Sequence, residues 1–88
     1  MPGSTMPIDV PVPHGVLEAG GEPSAALLAA ISRHIGEMRP GQVLEVVSGL
    51  AGSRLDAIAW CHVTGHELLA LVSDGGEIRF WIRKHDPA

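Results

Sequence analysis

The 88-residue chain predicts an α/β (α+β) two-layer sandwich: order β-α-β-α-β-β, with a four-stranded mixed sheet and two helices on one face. Three observations lead there. The spacing of apolar residues switches between the strand period of two and the helical period of about 3.6. Glycine and proline fall at the switches. A chain this short buries only ~60–65% of its unfolded surface, so two helices belong together on one face of a small sheet.

Residues 1–15 form a proline-rich N-terminal arm, with Pro2, Pro7, Pro11 and Pro13 among the seven prolines of the chain. Ile8, Val10 and Val12 alternate as in a strand, but Pro11 and Pro13 have no N–H for a ladder. The folded domain is expected over 16–85. Its first strand is at 16–19, closed by Gly20 and Gly21. From Ser24, the residues Leu27, Leu28, Ile31, Ile35 and Met38 trace one helical face, which Pro40-Gly41 stops. "QVLEVVS" has the β-rich composition of a central strand. After a loop at 49–52, Ser53 and Asp56 have the spacing of a capping box. Leu55, Ile58 and Ala59 supply the expected buried stripe of the second helix, and Gly65 its left-handed stop. "HELLALVS" and "EIRFWIRK" are strands joined at Asp74-Gly75-Gly76, a hairpin signal. In the last strand Ile78, Phe80 and Ile82 share one face, opposite Arg79 and Trp81.

Composition narrows the function classes. A net charge of −4 argues against nucleic acid, since phosphate contact needs a surplus of Lys and Arg. Arg79, Arg83 and Lys84 cluster near the C-terminus and read as a solvated strand end. The longest apolar run, residues 25–31, is far short of the roughly 20 needed to span a membrane. There is no signal-peptide pattern, and the single cysteine, Cys61, allows no internal disulfide. A cytoplasmic protein is the expectation.

In this order the chain resembles the TusA (SirA-like) family of small sulfur-carrier proteins, from about residue 17 to 84. That family opens with Leu-Asp-x-x-Gly-x-x-Cys-Pro-x-Pro, and Leu17, Glu18 and Gly21 stand at its first three marked places. "MRPGQVLEV" is similar to the junction of its first helix and second strand. "DAIAWCHVTGHELL" is similar to its second helix and third strand, and "IRFWIRK" to its last strand. The resemblance puts Ser24 where the family has its active cysteine, and Ala25-Ala26-Leu27 in place of Pro-x-Pro.

A thiol at a helix N-terminus ionises readily because the dipole and free N–H groups stabilise the thiolate. A serine hydroxyl has no such acidity and needs an adjacent base, and none stands beside it in the sequence. Ser24 therefore reads as a helix cap. Cys61, in the interior of the second helix, reads as a small hydrophobe. His62 and His66 are four apart, but Gly65 ends the helix between them, so no metal site is expected. No cofactor is expected either.

The expected function is a TusA-like domain without sulfur transfer, hence without catalytic residues, that binds other proteins of a sulfur-relay or redox pathway. Its candidate contacts are Glu22 and Ser24 at the first helix start, and Arg79 and Trp81 on the open sheet face. For Trp81, the alternative is that the N-terminal arm folds over it. The rival functions are a persulfide carrier working through Cys61 and a homo-oligomer joined by its sheet faces.

Overall fold

A computed structural model describes residues 10–50 and 52–86. The elements are β1 (Gly15–Ala19), α1 (Ser24–Gly36), β2 (Val43–Ser48), α2 (Ser53–Thr64), β3 (Glu67–Asp74) and β4 (Glu77–Arg83). The expected order and the mixed four-stranded sheet are both found. The sheet runs β1-β2-β4-β3. β1 pairs parallel to β2, while β4 is antiparallel to β2 and β3. β3 therefore runs in the direction of β2, two places away, and the hairpin returns β4 into the gap between them. "QVLEVVS" is central as expected, because β2 has a partner on each side.

Both helices cover the same face. Leu27, Ile31 and Ile35 of α1 pack with Leu44 and Val46 of β2, Ala57 and Cys61 of α2, and Ile78, Phe80 and Ile82 of β4. Leu28 and Met38 are partly buried against this cluster. The α1 stripe thus lies where the periodicity put it, and β4 divides its side chains between two faces as alternation requires.

The buried stripe of α2 differs from the expected one. Leu55 is 73% exposed and Ile58 44% exposed, and Ala59 also faces outward. The buried residues are Ser53, Ala57 and Cys61, each four apart. Side-chain size misled the sequence reading here. A helix laid close on a sheet places its small residues beneath its axis, leaving bulkier ones at the flank and outside. The buried Ser53 hydroxyl is satisfied by donating to the Leu50 carbonyl oxygen at 2.7 Å.

The punctuation residues behave as read. α1 ends at Gly36 through tightened i→i+3 bonds, Glu37 N–H to His34 O and Met38 N–H to Ile35 O, both at 3.1 Å. Pro40 and Gly41 then occupy the middle of a turn closed by Gln42 N–H to Arg39 O at 3.0 Å, with Gly41 at φ 88°. Gly75 and Gly76, at φ 59° and 85°, make a two-residue hairpin of the type that right-twisted strands favour.

Gly65 caps α2 at φ 83°, its N–H donating to Cys61 O at 2.9 Å. A side chain in this left-handed conformation costs roughly 1–2 kcal/mol. Gly65→Ala is therefore expected to lower Tm by roughly 4–16 °C in a domain of this size, measured by circular dichroism melting.

Candidate functional site

β1 and β2 are adjacent and parallel, and each feeds a helix on the same sheet face. Their helices consequently begin near one another, beyond the same end of the sheet. Gly49 N–H donates to Gly20 O at 2.9 Å, tying together the two loops that lead into them. At this point Ser24, in the first turn of α1, meets Asp56, in the first turn of α2.

The Ser24 hydroxyl donates to Asp56 Oδ2 across 32 positions of sequence. This corrects two expectations. The residue before α1 is Pro23, and the Ser24 hydroxyl goes to Asp56 instead of capping a backbone N–H. Nor does Asp56 complete a capping box with Ser53, whose hydroxyl points to Leu50. The carboxylate partner that Ser24 lacks along the sequence is thus supplied by the fold.

Chemically, the pair is a clasp. A carboxylate accepts the hydroxyl's hydrogen bond but is far too weak a base to ionise an alkanol. Its negative charge also opposes any anion forming on the oxygen. Around the pair, Glu22, Pro23, Ala25 and Ala26 are exposed, and Leu55, next to Asp56, is exposed as well. The surface at the α1 start is therefore partly apolar.

Cys61 is buried on the inner face of α2. Burial pushes its thiol pKa up to about 11 from the usual 9.0, because a desolvated thiolate loses its hydration. It is the only thiol of the chain.

The histidines form no cluster with metal geometry. His62 is exposed, while His66, past the Gly65 cap, stacks on Trp60 with ring centroids 5.3 Å apart. His66 Nδ1 accepts the His85 backbone N–H at 2.9 Å. Burial, together with the nearby His85 and Lys84, lowers the His66 pKa. Among the described residues no group of three or more His, Cys, Asp or Glu side chains could hold a metal ion. Nor, among them, is any helix long and apolar enough to cross a membrane.

The open sheet face separates the two contact residues placed there. Arg79 lies at the surface, partly exposed, donating to Glu45 at 2.5 Å and Glu77 at 3.2 Å. Both bonds keep the guanidinium charged, the Glu45 bond most strongly. A shallow cleft of about 420 Å³ runs beside it between Glu18, Val47 and Glu77. Glu45 is itself buried, a carboxylate that sequence reading passed over because it stands in an otherwise apolar strand. Trp81 is 0% exposed, packed with Val43 of β2 and Val10 of the arm. Of the two arrangements open to Trp81, the covered one is found.

Comparison with known proteins agrees with this architecture. The family model described as "Sulfurtransferase TusA" matches residues 19–84. Over 69 residues the chain is 33% identical to "Putative sulfur carrier protein YrkI" of Bacillus subtilis, covering 78% of this chain and 92% of that protein. It is 32% identical over 72 residues to "Sulfur carrier protein TusA" of Pseudomonas putida GB-1, covering 82% and 90%. A third relative, the protein of the same name from Pseudomonas fluorescens SBW25, is 30% identical over 80 residues, with 91% and 90% covered. From its two-layer scaffold and a match over three quarters of its length, the chain belongs to the TusA family.

Proposed function

We propose that this chain is a member of the TusA family that binds other proteins of a sulfur relay without carrying sulfur itself. One observation carries the reading. Its only thiol is buried inside α2 and kept protonated by that burial, with a pKa of about 11. Sulfur carriage through a thiol requires an accessible thiolate that can attack a persulfide and hand the sulfane sulfur on. Cys61 has neither the exposure nor the acidity.

Ser24 supports the same reading. It occupies the place that the family resemblance assigns to the carrier cysteine, at the start of α1. There its hydroxyl is tied to Asp56, which makes the pair a structural clasp between the two helix starts. The contact surface proposed is the one around this clasp, with Glu22, Pro23 and Ala25 from α1 and its approach, and Leu55 from α2. Their exposure favours it over the open sheet face, where Trp81 is covered. The relatives' names, sulfur carrier proteins, point to sulfur-relay components as the partner class.

Intact-mass spectrometry after incubation with a cysteine desulfurase, its cofactor and free cysteine tests the proposal. The expected result is an unchanged mass. A gain of about 32 Da, removable by a reductant, marks a persulfide. Such a gain, mapped to Cys61 by digestion, would establish the rival reading of a carrier working through that residue.

A further inference from the structure

The segment at residues 10–13 crosses to the open face of the sheet, the side away from the helices, where its first residue, Val10, packs. Val10 is buried there with Val43 and Trp81, and Leu69, Ala70 and Val72 pack around them. This small cluster is separate from the main core beneath the helices. The segment makes no ladder, because Pro11 and Pro13 have no N–H to give. Its attachment is at the adjoining residue: His14 N–H donates to Val43 O at 2.8 Å, and Val43 N–H donates to His14 Nδ1 at 3.1 Å. Val12 is 81% exposed, so Val10 is the main apolar anchor of the segment.

The surface beneath is unevenly matched to this cover. The Trp81 indole N–H is buried without a hydrogen-bond acceptor among the described residues. Buried Trp N–H groups usually find a partner, and leaving one unmet weakens the closed arrangement. An extended ligand offering a carbonyl oxygen there would satisfy a group that the chain's own segment leaves unmet.

We propose that residues 10–13 are a releasable strap, hinged at His14 and Gly15, that blocks in cis a docking seat for an extended, proline-bearing peptide segment. The class of ligand is read from the strap itself. Its Val-Pro-Val-Pro sequence favours the extended polyproline conformation, and such segments dock on aromatic-lined surfaces with little loss of entropy. The strap occupies the seat by proximity; a ligand in trans that also pairs the indole competes with it. Neither strap nor seat depends on the role of Ser24.

The test follows the Trp81 indole N–H by NMR in three full-length chains: wild type, Val10→Ala and Val10→Asp. The titrant is the synthetic peptide acetyl-Val-Pro-Val-Pro-His-amide. Both variants are expected to keep their far-UV circular dichroism, because the main core does not include Val10. Indole exchange with solvent should quicken in the order wild type, Val10→Ala, Val10→Asp. The peptide should shift the Trp81 resonance in Val10→Asp with an affinity at least about ten-fold tighter than in wild type, whose own strap competes. Unchanged indole exchange in both variants would overturn the strap. Peptide binding that is absent, or equal in wild type and Val10→Asp, would overturn the seat. Loss of cooperative folding in both variants would make Val10 part of the core and end the proposal.

Discussion

Ser24→Cys is expected to give the chain a fast-reacting thiol while leaving Cys61 silent. At pH 7 a thiol with a pKa of about 11 is thiolate in only about one part in 10⁴. An ordinary thiol, at 9.0 on the same scale, is about 1% ionised, so ionisation alone favours position 24 by about a hundred-fold, before accessibility is counted. The α1 N-terminus lowers the pKa of the new thiol further through its dipole and free N–H groups. Asp56 works in the other direction, because its carboxylate repels a thiolate and accepts the thiol's hydrogen bond. Ser24→Cys/Asp56→Asn should therefore react faster still at neutral pH. Iodoacetamide labelling of the folded protein, mapped by peptide mass, checks both steps. Equal labelling of the introduced thiol and Cys61 in the first variant would show that the α1 start does not present an accessible, activated position. In the desulfurase assay, Ser24→Cys is expected to gain about 32 Da, against the unchanged mass expected of the wild type.

Phe80→Ala is expected to bring the domain close to unfolding. Phe80 is fully buried on the helix side of β4, among Leu44, Val46 and Leu71. Removing such a ring costs about 3–5 kcal/mol, from lost transfer energy and the cavity left behind. A chain of this size has a total stability of only about 5–13 kcal/mol. The neighbouring Trp81→Phe is expected to stay within about 1–2 kcal/mol of wild type. It gives up part of the indole's buried area but also removes an N–H that has no acceptor among the described residues, whose burial costs about 1–3 kcal/mol. Urea titration of the two variants compares the faces directly. A Trp81→Phe loss as large as that of Phe80→Ala would mean that the indole nitrogen is paired in solution.

The two substitutions show how much of the fold was legible in the chain. Alternation along "EIRFWIRK" assigns Phe80 and Trp81 to opposite faces without any coordinates, since neighbouring strand residues must point apart. The α1 stripe was equally legible, because Leu27, Ile31 and Ile35 are both large and correctly spaced. In α2 the cues conflicted. Two of its large residues, Leu55 and Ile58, lie away from the face that packs on the sheet, and the buried Ser53, Ala57 and Cys61 have little hydrophobicity to announce themselves. Periodicity states that a helix has an inner face; which residues form it depends on how near the sheet lies.

The candidate site divides in the same way. Ser24 stood out along the sequence by its position after Gly21 and Pro23, at the start of a helical pattern. Its partner did not, because Asp56 is 32 positions away and sits at a plausible capping distance from Ser53. Two parallel neighbouring strands that both feed helices on one face already imply that the helix starts converge. That topological signal could have suggested an α2 first-turn residue as the partner of Ser24.

Local chemistry alone fixed the element order, the turns at Gly41, Gly65 and Gly75-Gly76, and the two-faced last strand. Each depends on backbone freedom or side-chain alternation within a few residues. Only tertiary structure decided that Ser24 is clasped by Asp56, that Cys61 is too buried to ionise readily, and that Val10 covers Trp81. Those outcomes depend on which surfaces the packed sheet brings together, and contacts across tens of residues are set by burial of the whole core rather than by any one segment.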